Sequence, residues 1–174
     1  IIERMKIVSF RNDVMPLKDK LFRLALRVTL QRAEAEDIVQ EALIKVWNNR
    51  DRWAEIESME AYCFRITRNL ALDYLKRKGS DNDSLSEEKQ ERPDKSSDPY
   101  EQMNQKDRLA LVRKIIDGLP ERQRSCIQLR DIEGKPYKEI AQILNITEEQ
   151  VKVTIFRARQ TIKAKYQTFD EYGL

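Results

Sequence analysis

The chain has 174 residues, which is enough for one domain or for two small ones. Only 4 glycines and 5 prolines occur and 36% of the residues are charged, so we expect small helical bundles and not one large core. The net charge of +3 is modest, so nucleic-acid binding must rest on local clusters of cations. The sequence has no histidine, which removes the commonest general base and metal ligand. We therefore expect no enzymatic activity, no metal and no cofactor.

The two cysteines, Cys63 and Cys126, lie far apart and outside any CxxC spacing. Each belongs to an apolar helix face, which predicts buried free thiols in a reducing compartment. No apolar run approaches the roughly 20 residues of a membrane span, and no signal-peptide pattern opens the sequence. The sequence therefore predicts a cytoplasmic protein without direct membrane insertion.

Residues 16–30 and 33–50 have the apolar periodicity of two helices. The second helix combines a wide apolar face, which includes Trp47, with an acidic and polar face around one aliphatic side chain. This opposite face consists of Asp37, Gln40, Glu41, Ile44 and Asn48. Charges around one apolar anchor are typical of a docking surface, although a solvated helix side with a stray isoleucine gives the same pattern. A metal or acid–base pair at Asp37 and Glu41 is poorly supported, since no histidine or third carboxylate joins them.

Residues 51–60 break the helical period, so we expect a loop in which Ser58 caps the next helix. Trp53 in this loop can either stack on an unpaired base or pack on the core, and the sequence leaves both open. Residues 59–78 predict a third helix, one face of which combines cations with an amide. These positions are Arg65, Arg68, Asn69 and Lys76. Such a face suits a nucleic-acid strand, although cations near a helix C terminus are favoured in any case.

Residues 79–106 are polar and acidic, contain two prolines and have almost nothing to bury, which predicts a flexible linker. The sequence thus predicts an all-α protein with two small helical domains, residues 1–78 and 107–174. In the second domain, residues 107–133 predict two helices, the first ending at Gly118 and the next opening at Pro120. A helical hairpin completes a four-helix module.

The hairpin pairs a helix over Tyr137–Leu144 with one from Glu148 to about Tyr166. Asn145 tolerates the left-handed turn between them, and Thr147 forms a capping box with Gln150. The outer face of the second helix mixes amide, cationic, hydroxyl and apolar side chains. Its candidate DNA contacts are Gln150, Lys152, Val153, Thr154, Phe156 and Arg157. This mixture favours a helix in a DNA major groove, while a plain hairpin with a basic outer face remains the alternative.

Four blocks of the sequence resemble bacterial RNA polymerase sigma factors of the short extracytoplasmic-function (ECF) type. They are DIVQEALIKVW (37–47), AYCFRITRNLALDYLKRK (61–78), LPERQRSCIQLRDIEG (119–134) and YKEIAQILNITEEQVKVTIFRAR (137–159). The resemblance implies a protein that binds core RNA polymerase and promoter DNA and that an anti-sigma factor can hold inactive. The departures lie in the last block, where Val153 and Thr154 replace a frequent Ser-Arg pair and Asn145 replaces a frequent glycine.

The resemblance also implies roles for the faces described above. Docking on the β′ coiled coil of the polymerase falls on Asp37, Gln40, Glu41, Ile44 and Asn48, and a contact with the β flap is expected for the second domain. Recognition and melting of the −10 promoter element fall on the 49–58 loop with Trp53, and on Arg65, Arg68, Asn69 and Lys76. Recognition of the −35 element falls on Gln150, Lys152, Val153, Thr154, Phe156 and Arg157. A stand-alone dimeric helix-turn-helix regulator is the alternative, but it lacks an evident dimerisation seam.

Overall fold

The computed structural model describes residues 7–81 and 105–172, and every regular element in these two ranges is a helix. The predicted linker lies almost entirely outside the described residues. Its two ends are helical, because the third helix continues to Asp81 and the fourth begins at Gln105. The all-α prediction is confirmed for the described part of the chain.

The first half is a three-helix bundle formed by α1 (Lys18–Thr29), α2 (Arg32–Asn48) and α3 (Met59–Asp81). Short helical segments at Phe10–Val14 and Met15–Leu17 lead into α1, and a 3₁₀ segment at Arg50–Glu55 follows α2. Leu30 ends α1 in the left-handed conformation, with φ of 59°. The Ser58 hydroxyl accepts the Ala61 N–H, so the predicted cap of α3 is confirmed.

The second half contains α4 (Gln105–Asp117), α5 (Glu121–Ile127), α6 (Tyr137–Leu144) and α7 (Glu148–Tyr172), with a short π-helical segment at Gln128–Ile132. The helical hairpin agrees with the sequence prediction. Asn145 is left-handed at φ 56°, and Thr147 and Gln150 form the reciprocal capping box. α7 runs six residues beyond the expected end.

The two halves pack against each other, α1 against α5 and α3 against both α5 and α6. Buried apolar side chains of both halves belong to one cluster, in which Phe64 and Leu24 come from the first half and Leu129 and Ile140 from the second. Cys63 and Cys126 are buried free thiols, as predicted. Trp47 is a correction, because it is 45% exposed and not buried with the apolar face of α2.

Candidate docking and nucleic-acid interfaces

The docking face on α2 is exposed along its whole length. Asp37, Gln40, Glu41, Ile44 and Asn48 all face solvent, and the Ile44 side chain is 59% exposed. Trp47 lies one helical turn from Ile44 and adds a second large apolar surface, which the Arg50 guanidinium partly covers at 4.6 Å from the ring. The face is therefore an apolar centre with a polar rim, the anatomy of a protein-binding surface.

Trp53 packs on the core of the first half, which is one of the two alternatives that the sequence left open. It is 8% exposed, and its indole N–H donates to the Val46 carbonyl at 3.0 Å. Its ring also stacks with Phe10 and meets Trp47 edge-on. The 3₁₀ turn over Arg50–Glu55 directs this side chain inward, and the sequence alone did not define that turn.

Arg68 also differs from its expected exposed position, because it is 7% exposed and lies against the second half of the chain. Its guanidinium donates to both carboxylate oxygens of Glu121, at 3.0 Å each from one nitrogen, and to the Ser125 hydroxyl at 3.3 Å. The face of α3 that carries Arg68 is covered by α5, and Glu121 supplies the compensating charge. The other candidates on α3, namely Arg65, Asn69 and Lys76, are exposed as expected.

A cavity of about 530 Å³ opens between the end of α2, the 3₁₀ segment and α3. Asn49 and Tyr62 line it and are hydrogen-bonded to each other at 3.1 Å, and Asn69 lies on the same wall. The remaining lining residues are Lys45, Arg52, Glu55, Ile56, Ile66, Leu70 and Asp73. An aromatic ring, amides, cations and carboxylates can together stack on a base, bind its edge and contact its phosphate.

The 49–58 loop and Asn69, both expected at the −10 element, supply half of the residues that line this cavity, and part of the signal for the other half was also present in the sequence. Tyr62, Ile66, Asn69 and Asp73 recur at helical spacing on α3, so they share one face. The contribution of Asn49 and Arg52 depends on how the 3₁₀ segment turns back toward α3, which helical periodicity does not predict.

The outer face of α7 presents the predicted −35 residues. Lys152, Val153, Phe156 and Arg157 are exposed, and Phe156 is 60% exposed. Thr154 is half-buried, and its hydroxyl donates to the Gln150 carbonyl at 2.6 Å, so the acceptor side of the hydroxyl oxygen and the methyl group remain for a base contact. The Gln150 side-chain oxygen already accepts the Thr147 N–H in the capping box. Buried Val151, Ile155 and Ala158 fix the opposite side of the helix.

An apolar groove of about 770 Å³ lies on the second half, between α4, the π-helical segment and α7. Leu109 and Ile132 are exposed at its edge, and Val112, Ile116 and Ile162 form its floor. Arg113, Arg159 and Lys163 add positive charge, which Asp131 partly offsets through its ion pair with Arg159. This groove has the shape and chemistry to bind an amphipathic helix with acidic flanks.

No group of three or more potential metal-ligating side chains is found within residues 7–81 and 105–172. In the same two ranges, no helix is long and apolar enough to cross a membrane.

Comparisons with known proteins match both halves of the chain to described families. The family described as sigma-70 region 2 matches residues 14–80, and the family described as sigma-70, region 4 matches residues 109–162. The ECF RNA polymerase sigma-E factor of Escherichia coli K12 is 33% identical over 142 residues, which are 77% of this chain and 74% of that protein. The ECF RNA polymerase sigma factor SigE of Mycolicibacterium smegmatis is 33% identical over 147 residues, and the alignment covers 83% of this chain. The aligned part is 56% of that relative, so the chain spans little more than half of its length.

Two solved structures share the fold. The sigma factor RpoE of Bartonella quintana, in complex with the anti-sigma factor NepR, has a TM-score of 0.72 at 23% identity, covering 92% of this chain and 98% of that one. CnrH, in complex with the cytosolic domain of CnrY, has a TM-score of 0.65 at 22% identity, covering 91% of this chain and 88% of that one.

The matched regions and the curated relatives define a two-region transcription initiation factor. The chain belongs to the sigma-70 family, and within it to the ECF type of RNA polymerase sigma factors. The alternative of a stand-alone dimeric regulator is not favoured.

Proposed function

We propose that the chain binds core RNA polymerase through α2 and directs it to promoters through α3 and α7, without catalytic activity of its own. The observation that carries this proposal is the separation of two outward faces, the Ile44 docking face on α2 and the Phe156–Arg157 face on α7. A protein with these two surfaces can hold an enzyme and a DNA element at once. Bacterial polymerase works in the cytoplasm, which is where we expect the chain to act.

The polymerase contact is assigned to Asp37, Gln40, Glu41, Ile44 and Asn48. The exposed isoleucine supplies apolar area that becomes buried on docking, and the surrounding acids favour a basic partner surface. Trp47 belongs to the same surface by position. The apolar groove at Leu109 and Ile132 is assigned to a second polymerase contact, the β flap, and an anti-sigma factor is a competing partner for these surfaces.

The −10 element is assigned to the cavity between α2 and α3 together with Arg65, Asn69 and Lys76. Extruding a base from duplex DNA costs a few kcal/mol, and a pocket that binds the extruded base offsets this cost. Tyr62 offers a stacking surface, and Asn49 and Asn69 offer donors and acceptors for the base edge. Melting is then a consequence of differential binding and requires no chemical step.

The −35 element is assigned to Gln150, Lys152, Val153, Thr154, Phe156 and Arg157 on α7. Arg157 is suited to guanine acceptors, whereas Val153 and Phe156 offer apolar contact to a thymine methyl. Each half alone reads few bases, so binding both halves to one polymerase raises the effective concentration of each for its element.

Run-off transcription with bacterial core polymerase on a pool of promoter fragments tests the proposal. Initiation at a shared pair of sequence boxes that depends on this protein supports it. The double variant Glu41→Lys with Ile44→Asp should lose polymerase binding and transcription while keeping the helical circular dichroism spectrum, because both side chains are exposed. Retained polymerase binding by this variant would move the docking face away from α2.

A further inference from the structure

Two exposed surfaces of the chain carry opposite charges around an apolar centre. On α2, the carboxylates of Asp37 and Glu41 flank the exposed side chains of Ile44 and Trp47. In the groove between α4 and α7, cations surround an apolar floor and the exposed side chain of Leu109. Each surface is open to solvent in the structure, so each can receive a partner of the opposite charge.

Most of the charges on these two surfaces have no partner within the described chain. Asp37 and Glu41 form no ion pair with any residue in 7–81 or 105–172, and the same is true of Arg113 and Lys163 in the groove. Charges of one sign that are grouped around exposed apolar side chains attract a partner of the opposite charge and help to fix its register.

The spacing of the charges on the two surfaces also agrees. Asp37 and Glu41 lie four residues apart on α2, and Arg159 and Lys163 lie four residues apart on α7. Four residues of an α-helix rise about 6 Å, so two acids on one helix can face two cations on a second helix that lies alongside it. Arg159 also pairs with Asp131, so Lys163 is the cation of the two that has no partner.

The shapes of the two surfaces match as well, because a helix face is convex and the groove is concave. The groove has a volume of about 770 Å³, and Val112, Ile116 and Ile162 form its floor. Ile44 projects from α2 and is 59% exposed. The outer face of α7 is also basic and carries exposed Phe156, but it is itself the convex side of a helix. The groove is therefore the better receptor for α2.

We propose that the α2 face of one copy of the chain docks into the groove between α4 and α7 of a second copy. The contact joins two different surfaces, so it is head-to-tail and can continue to a third copy. Both surfaces are assigned above to polymerase, so self-association and polymerase binding exclude each other. This exclusion rests on the proposed function, whereas the contact between copies does not. One helix face in one groove is a small interface, so we expect a dissociation constant on the order of 10–100 µM.

Sedimentation velocity of the full chain, without polymerase or DNA, measures this association. Between about 1 and about 200 µM chain, the weight-average sedimentation coefficient should rise. Added salt should shift the rise to higher concentration, because salt screens the ion pairs. Lys163→Glu should weaken the association about tenfold. Lys152→Glu is the matched control, because it makes the same change of charge on the outer face of α7 and should leave the association unchanged.

A mixture of two disabled variants tests the head-to-tail arrangement. Ile44→Asp disables the α2 face and Leu109→Asp disables the groove, because each would bury a carboxylate among apolar side chains on contact. Both positions are exposed, so both variants should fold with an unchanged circular dichroism spectrum. Each variant alone should sediment as a monomer. Their equimolar mixture should form a dimer that grows no further, because the pair retains one intact α2 face and one intact groove.

Three results would overturn the contact between copies. The first is an unchanged chain that sediments as a monomer at every concentration. The second is a mixture of Ile44→Asp and Leu109→Asp that forms no dimer. The third is an equal loss of association in Lys152→Glu and Lys163→Glu, which would assign the partner surface to the outer face of α7. A monomeric chain that still supports run-off transcription would leave the proposed function intact, so the two failures are distinguishable.

Discussion

Replacing Trp53 decides between a core residue and a base-stacking residue. The indole is 8% exposed, stacks with Phe10 at 6.3 Å between ring centroids and donates its N–H to Val46. Trp53→Ala removes all of these contacts and should cost about 3–5 kcal/mol of stability, as expected for truncation of a buried tryptophan. For a chain of this length, the midpoint of thermal unfolding should fall by about 6–20 °C.

Trp53→Phe is the sharper variant, because it keeps an aromatic ring and removes only the indole N–H and part of the volume. The lost hydrogen bond should cost about 0.5–1.5 kcal/mol. Trp47→Phe is the matched control, since Trp47 is already 45% exposed and its replacement should change stability less. Urea unfolding followed by circular dichroism measures all three variants, and permanganate footprinting measures promoter melting well below the unfolding midpoint.

One combination of results would show that Trp53 acts on DNA. If Trp53→Phe unfolds at the same urea concentration as the unchanged chain but fails to melt the promoter, the indole acts on DNA and not in the core. We expect Trp53→Phe to lower stability and to leave promoter melting near the level of the unchanged chain. The reason is that Trp53 does not line the cavity formed by Asn49 and Tyr62.

Three further outcomes follow from the structure. Arg157→Ala should weaken binding to the correct −35 site by about 1–3 kcal/mol in a competition assay with polymerase present. Equal weakening on every DNA sequence would show that Arg157 contacts a phosphate and not a base. Thr147→Ala removes the hydroxyl that accepts the Gln150 N–H at 3.1 Å. The free energy of unfolding, measured in urea, should therefore fall by about 1 kcal/mol. An unchanged midpoint of urea unfolding would mean that the cap adds no stability. Burial raises the pKa of Cys63 to about 12 and of Cys126 to about 11. A thiol reagent at pH 8 should therefore modify neither cysteine in the folded chain and both cysteines in urea. Rapid modification of the folded chain in buffer would contradict their burial.

The helical hairpin was predicted almost residue by residue because its signals are local. Pro136 precedes α6, Asn145 supplies the left-handed turn, and Thr147 and Gln150 cap α7, all within a short stretch of sequence. The exposed face of α2 was also predicted, since helical periodicity alone determines which side chains oppose a buried face. Trp47 is the exception on that helix, because it belongs to the apolar face by periodicity and is nevertheless 45% exposed.

Arg68 could not be placed from the sequence because its partners are distant along the chain. Periodicity separates Arg68 from buried Cys63 and Leu70, but Glu121 and Ser125 of the second half cover Arg68 itself. A solvated face and a face paired with another domain have the same composition when the pairing is ionic. The same ambiguity applies to Arg23 and Arg27 on α1, whose basic side suggests solvent but pairs with Glu133 and Asp117.

The contact between the two halves combines paired charges with a shared apolar cluster. Removing an ion pair from water has a desolvation cost that the attraction largely cancels, so the pairs Arg23–Glu133 and Arg68–Glu121 define geometry more than they add stability. The favourable free energy of the contact comes from apolar burial, because Leu24 and Phe64 of the first half belong to one buried cluster with Leu129 and Ile140 of the second.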